Sequence, residues 1–239
     1  MLILGLAGQA RCGKDTIANY LVKRYGFIKF AFSDALYREV QQAFGLPDQS
    51  LLRSAETKDA PQPELALSHC TDPGFLEAMK IANLQSGTFD NPFHLDTTPR
   101  SPRWVLQRWG TEYRRAQDPN YWVHRAADFV YGVQYGFTYP EHRPQFFVET
   151  GTRFENEREW ITQANDGNIW HIHRDGIEAP GQGHVSASPL PVMPGERELW
   201  NNDTVERLHY GIDLMLSQDV QQVKVLPLER TIHASTSDQ

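Results

Sequence analysis

The sequence predicts an α/β fold, a mainly parallel sheet with helices on both faces, and three observations predict it. The apolar run "LILGLAG" leads through Gly8-x-x-x-x-Gly13-Lys14 into the helical "DTIANYLVKRYG", a strand–loop–helix unit. Strand-like and helix-like segments then alternate along the chain, as a parallel sheet with crossover helices requires. The chain has 239 residues, 40% of them apolar, which is enough for one sizeable core. It has no apolar run long enough to span a membrane, and Met1 to Leu6 lacks the basic flank of a signal peptide.

Each element has its own signal. In the first helix Ile17, Tyr20, Leu21 and Arg24 recur at helical spacing, and Gly26 is a natural stop. "FIKFAF" alternates as a second strand. "SDALYREVQQAFGLP" opens on a cap candidate, sets Leu36, Val40 and Phe44 on one face and ends at Gly45 and Pro47. Residues 48–98 lose the period and read as an irregular insertion, a candidate lid over an acceptor, with a short helix at Pro73 to Leu84. Order returns at "SPRWVLQRWG", where Ser101 can cap, Pro102 suits the first turn, and Trp104, Val105, Leu106 and Trp109 form an apolar side. "NYWVHRAADFVYG" is a helix, "PQFFVETGTRF" a strand entering a loop, "ENEREWITQAN" a helix and "NIWHIHR" a strand. Asp175 to Gly195, rich in Gly and Pro, reads as an active-site flap or a plain surface loop. The last helix, "DTVERLHYGIDLML", carries a capping-box pattern of Asp203 and Glu206. The expected layout is one domain over 1–226 and a polar tail over 227–239.

The net charge of −7 argues against a general nucleic-acid coat. Yet six arginines (100, 103, 108, 114, 115 and 125) face only Glu112 and Asp118 within the same window. That positive segment reads either as a solvated helix face or as a phosphate-recognition surface, and the arginine fork favours the second. Cys12 and Cys70 are the only cysteines; Cys12 lies inside the glycine loop, so reduced thiols in a cytoplasm are expected. His69, Cys70 and His94 lack a zinc spacing, and His171 with His173 makes half a site, so no structural metal is expected.

The loop points to nucleotide chemistry. Its glycines let backbone N–H groups curl around phosphate oxygens, the helix start adds a positive dipole end, and Lys14 brings a charge to the terminal phosphates. Gly8, Arg11, Cys12, Gly13, Lys14, Asp15 and Thr16 are thus the candidate ATP-binding residues. Asp15 stands where Ser or Thr is usual. It either holds magnesium through water or turns away while Thr16 supplies the hydroxyl; Asp15 and Thr16 are the candidate Mg2+ residues.

The opening G-K-D-T, "RWVLQRWGTEYRRAQDPNYWV", "FVETGTRFENERE", and "HVSASPLP" followed by "LWNNDTVERL" occur here in the order of a known pattern. Together they resemble the bacteriophage deoxynucleoside monophosphate kinase family over nearly the whole chain, apart from the middle insertion. The resemblance implies a P-loop kinase fold, ATP and magnesium on the first loop, a nucleotide acceptor on the arginine-bearing helices, and the host cytoplasm as location. Carried over by position, Arg103, Gln107, Gly110, Thr111, Glu112 and Arg115 match the acceptor block, and Trp122 the aromatic after it. Arg153 matches a strand-end arginine able to bridge the two phosphates, and Asp34 an acid near the acceptor. His184 lies in the family-like late loop, where it could meet a phosphate or base. The family's Asp before the strand-end arginine falls on Gly151, leaving Glu149 as the nearest acid, and the late-loop Glu falls on Ala187.

Three functions compete. A monophosphate acceptor offers an ionised oxygen and needs placement by Lys14, Arg153 and magnesium rather than a base. Relatives of the family act on 5-hydroxymethyluracil in DNA; that alcohol acceptor would use Asp34 or Glu149 as base, and modified DNA would be the partner. A nucleotide-binding regulator without transfer is the third, and the retained Lys14 and arginines speak against it. Oligomeric state is left open.

Overall fold

The computed structural model describes residues 1–86, 97–139, 142–165, 167–177 and 190–222. In chain order the elements are β1 (Leu2–Ala7), α1 (Lys14–Tyr25), β2 (Ile28–Phe30), α2 (Asp34–Ala43), α3 (Ser50–Arg53), α4 (Pro73–Ser86) and α5 (Pro102–Gln107). They continue with α6 (Tyr121–Tyr135), β3 (Phe146–Glu149), α7 (Glu155–Thr162), β4 (Asn168–His173), β5 (Arg197–Trp200) and α8 (Val205–Gln222). The chain divides into two compact units, one of Met1–Phe30 with Gln134–Gln239, the other of Ala31–Val133.

The first unit is built on a five-stranded sheet in the order β2-β3-β1-β4-β5, and every pairing is parallel. All six residues of β1 are buried, as its unbroken apolar run predicts for a strand covered on both faces. Leu2, Leu4 and Leu6 pack with Ile17, Ala18 and Leu21 of α1 and with Leu208, Ile212 and Met215 of α8. The opposite face meets α7 closely: a Cβ on Gly5 would lie 2.7 Å from Ile161 of α7 and 2.6 Å from Ile169 of β4. Asp219 of α8, 3% exposed, ties this layer down by accepting from Trp170 Nε1 (2.8 Å), Asn168 Nδ2 (3.0 Å) and Arg197 Nε (2.5 Å). Tyr20 and Tyr25 of α1 donate to Asp213 of α8 at 2.9 and 2.7 Å. Gly26 closes α1 with φ +73°, the stop its position predicts.

The segment 48–98, whose residues 87–96 lie outside the described ones, falls in the second unit. Its Leu52, Leu65, Leu67, Phe75 and Met79 are buried in the second unit, on α3, α4 and two short 3-10 turns at Pro63–Leu65 and Leu67–His69. Ser101 caps α5 as expected, accepting from the Trp104 N–H at 3.2 Å. Beyond Gln107 the helix widens to π register over Arg108–Arg115. Trp104 leaves the apolar side: half-buried, it lies under the guanidinium groups of Arg100 (4.7 Å) and Arg108 (5.6 Å). Ser33 occupies the cap position of α2 without a side-chain bond; Asp34 accepts from the Ala31 N–H at 2.8 Å instead. At α8 Thr204, rather than Asp203, accepts from the Arg207 N–H. The late-loop residues His184 and Ala187, His94 and the tail 227–239 lie outside the described residues.

Candidate active site

The first unit carries the donor-side candidates. After β1 the backbone takes positive φ at Gly8 (+141°), Arg11 (+67°) and Gly13 (+110°), and α1 starts at Lys14. Two of these positions favour glycine: a Cβ on Gly8 would lie 2.4 Å from the Ile172 carbonyl oxygen, and one on Gly13 2.3 Å from the Asn201 side-chain Nδ2. Asn201 fastens the loop, its amide donating to the Cys12 carbonyl at 2.9 Å while its own N–H reaches the His173 carbonyl. Lys14 Nζ folds back over the loop, donating to the carbonyls of Gly8 (2.9 Å) and Gln9 (2.7 Å), with Cys12 Sγ at 3.7 Å. Burial lowers the Lys14 pKa below the ordinary lysine value; Cys12 opposes the shift and the charge of Arg153 adds to it. Cys12 is a buried free thiol packed into the core, as is expected of a small residue inside the loop.

Asp15 turns away from the loop. It pairs with Lys29 of β2 at 2.7 Å and is 81% exposed. Thr16 is exposed on the first turn of α1. Glu149, fully buried at the end of β3, accepts from Thr152 Oγ1 (2.6 Å) and the Gly151 N–H (2.9 Å). The turn it shapes presents Arg153, whose backbone N–H is held by Glu157 at 2.9 Å and whose side chain is exposed. Gly8, Arg11, Cys12, Gly13, Lys14 and Arg153 therefore gather at the carboxyl ends of β1 and β3, where parallel sheets bind ligands.

The acceptor candidates belong to the second unit, and most are engaged there. Asp34 pairs with Arg53 of α3 at 3.0 Å. Arg103 forms a two-point ion pair with Asp59, and Arg108 pairs with Glu112 at 3.2 Å. Arg114 meets Glu39 at 2.9 Å and Asp72 at 3.6 Å, and Arg125 lies 3.7 Å from Glu39. The expected positive segment is thus largely neutralised, because Glu39, Asp59 and Asp72 come from outside the window of sequence that suggested it. Arg115 contacts the Pro119 carbonyl at 3.5 Å. Trp122 is 3% exposed and donates to the Gly110 carbonyl at 3.1 Å, a core position for both residues. Gln107 and Thr111 are half-buried on the same helical stretch. Lys29, Arg53 and Glu39 have no signal in the sequence, since each acts through a partner distant in the chain; Asn201 lies in the quoted LWNNDTVERL stretch, but its bond to Cys12 leaves no sign there.

Among the described residues no helix is long and apolar enough to cross a membrane, and no group of three or more His, Cys, Asp or Glu could hold a metal ion. No family model matches the chain. A solved sugar kinase structure from Janibacter sp. HTCC2649 aligns over 95% of this chain and 96% of its own at 12% identity and TM-score 0.39, too slight a likeness to carry an argument. A stretch of 61 residues is 38% identical to a protein of Acanthamoeba polyphaga mimivirus provisionally named a deoxynucleotide monophosphate kinase. That stretch is 26% of this chain and spans 32% of the relative's length, so the likeness to a nucleotide kinase is confined to a part of each.

Proposed function

We propose that this chain is an ATP-dependent phosphotransferase whose acceptor is a deoxynucleoside monophosphate. The observation that carries the reading is the loop itself: two crowded glycines at positive φ, a helix start behind them, and Lys14 arched over the Gly8 and Gln9 carbonyls. The cradle fits a triphosphate. An arriving phosphate would take Nζ from two neutral carbonyls, and charge-assisted bonds are the stronger ones. The backbone N–H groups of the loop and of α1 would face the phosphates, and Arg153 would add charge where it develops during transfer. Magnesium, when bound with the nucleotide, would add further neutralisation of the phosphates, and Thr16 would supply the hydroxyl that holds it. Asp15, paired with Lys29, is not oriented for that task.

The state of the two candidate bases favours a phosphate acceptor over an alcohol. Asp34 is paired with Arg53, and Glu149 is buried under two donors that shape its turn. A monophosphate oxygen needs neither, because it is already ionised. On this reading Arg103, Gln107, Thr111, Glu112 and Arg115 serve the acceptor, Arg103 and Glu112 by exchanging their present partners for the nucleotide.

The test supplies γ-labelled ATP and magnesium with each deoxynucleoside monophosphate, and separately with DNA containing 5-hydroxymethyluracil. Label is expected on a monophosphate and is expected to vanish in Lys14→Ala protein that melts like the parent. Label on the DNA alone would install the alcohol acceptor in its place, and no transfer to either would end the kinase reading.

A further inference from the structure

We propose that Glu39 is a positioning residue that holds Arg108–Arg115 in π register and so aims Thr111, Glu112 and Arg115; this rests on the acceptor reading above. The argument starts from one oxygen. Glu39 Oε2 accepts from Trp109 Nε1 at 3.0 Å and from Arg114 Nε at 2.9 Å, two residues five apart. In an α-helix of 3.6 residues per turn, side chains five apart diverge by about 140°. In the i→i+5 register they share a face. The backbone agrees: the Ala116 N–H reaches the Thr111 carbonyl, five residues back.

The other oxygen, Oε1, accepts from the Tyr121 hydroxyl at 2.6 Å and lies 3.7 Å from Arg125 Nε. One half-buried carboxylate on α2 thus binds the π stretch to α6 through three donors and the nearby charge of Arg125. A π stretch is rare, and such stretches are frequent at functional sites. The donors of Glu39 brace the stretch from outside its own backbone. Without them the stretch relaxes toward α register, and every side chain within it turns. Gly110, whose missing side chain faces Leu36 of α2 at 3.4 Å, sits in the same stretch.

The experiment compares Glu39→Ala and Glu39→Gln with the parent by hydrogen exchange and by steady-state kinetics. Exchange is expected to quicken at Arg108–Arg115 in Glu39→Ala while the α1 amides stay as they were. The KM for the monophosphate is expected to rise on the order of tenfold with the KM for ATP held within about twofold, because misplacement is confined to one side of the reaction. Glu39→Gln keeps the volume and one acceptor oxygen, serves as the second variant should the alanine protein fail to fold, and is expected to recover part of the loss. Equal rises in both KM values, or a glutamine variant no better than alanine, would mark Glu39 as a mere structural support. Parent protein that phosphorylates nothing ends the function reading. Unchanged exchange at Arg108–Arg115 ends this inference whatever the kinetics.

Discussion

Replacing Gly8 with alanine tests the loop geometry most directly. The new Cβ would sit 2.4 Å from the Ile172 carbonyl oxygen and 3.0 Å from Cys12 Sγ, where ordinary contact begins at 3.4 Å. The φ of +141° is strained for any residue with a side chain, at a cost of about 1–3 kcal/mol. Forcing one more carbon against packed backbone adds about 1–3 kcal/mol. The midpoint, about 4 kcal/mol, lowers the melting temperature by roughly 8–16 °C in a chain of this size. Gly132→Ala is the control: this exposed glycine in α6 has nothing within 4 Å of the added Cβ. There the same substitution removes backbone entropy from the unfolded chain and stabilises by roughly 0.5–1 kcal/mol. Calorimetry on the two variants should move the transition in opposite directions. Magnesium–ATP should raise the melting temperature of the parent and of Gly132→Ala but not of Gly8→Ala, by linkage. Gly8→Ala protein that melts with the parent and keeps the nucleotide shift would refute the cradle.

Asp219→Ala should cost about 3–5 kcal/mol, since it leaves Arg197, Trp170 and Asn168 without their shared acceptor in a buried layer. An unchanged urea midpoint would show that the carboxylate is not the tie between α8 and the sheet. Stability should also fall in alkali. Burial, with the Asp213 bond second, pushes the Tyr25 hydroxyl up to about 12. Burial, with the Glu39 bond second, does the same to Tyr121. Below the ordinary value of 10.0 both states hold these protons. Between there and about 12 the unfolded chain releases them first, so stability is lost as pH rises. Thermal melts across that window should show the fall, less steep in Tyr25→Phe; a flat profile would contradict it.

The glycine loop was legible because its requirement is local: φ at Gly8 and Gly13, and a lysine at a fixed offset from both. The parallel sheet was legible through β1, whose apolar run admits no solvent face. Other features depend on residues that the chain brings together only by folding. The arginines of 100–125 looked unbalanced because Glu39, Asp59 and Asp72 lie outside the window, and charge is neutralised in space rather than in sequence. The strand β5 was missed because Arg197 and Glu198 interrupt the apolar pattern of an edge strand. Leu52, Leu65, Leu67 and Phe75 showed no period because short turns, not one long helix, carry most of them inward. The π register of Arg108–Arg115 left no mark at all, since Trp109 and Arg114 gain a common direction only through Glu39.

The clasp between Asn201 and the Cys12 carbonyl joins residues 189 positions apart. During synthesis the first loop leaves the ribosome early, but the asparagine that fastens it arrives only behind β5. Nascent chains halted before residue 201 should therefore ignore immobilised ATP, and nucleotide capture should begin only once that asparagine has emerged.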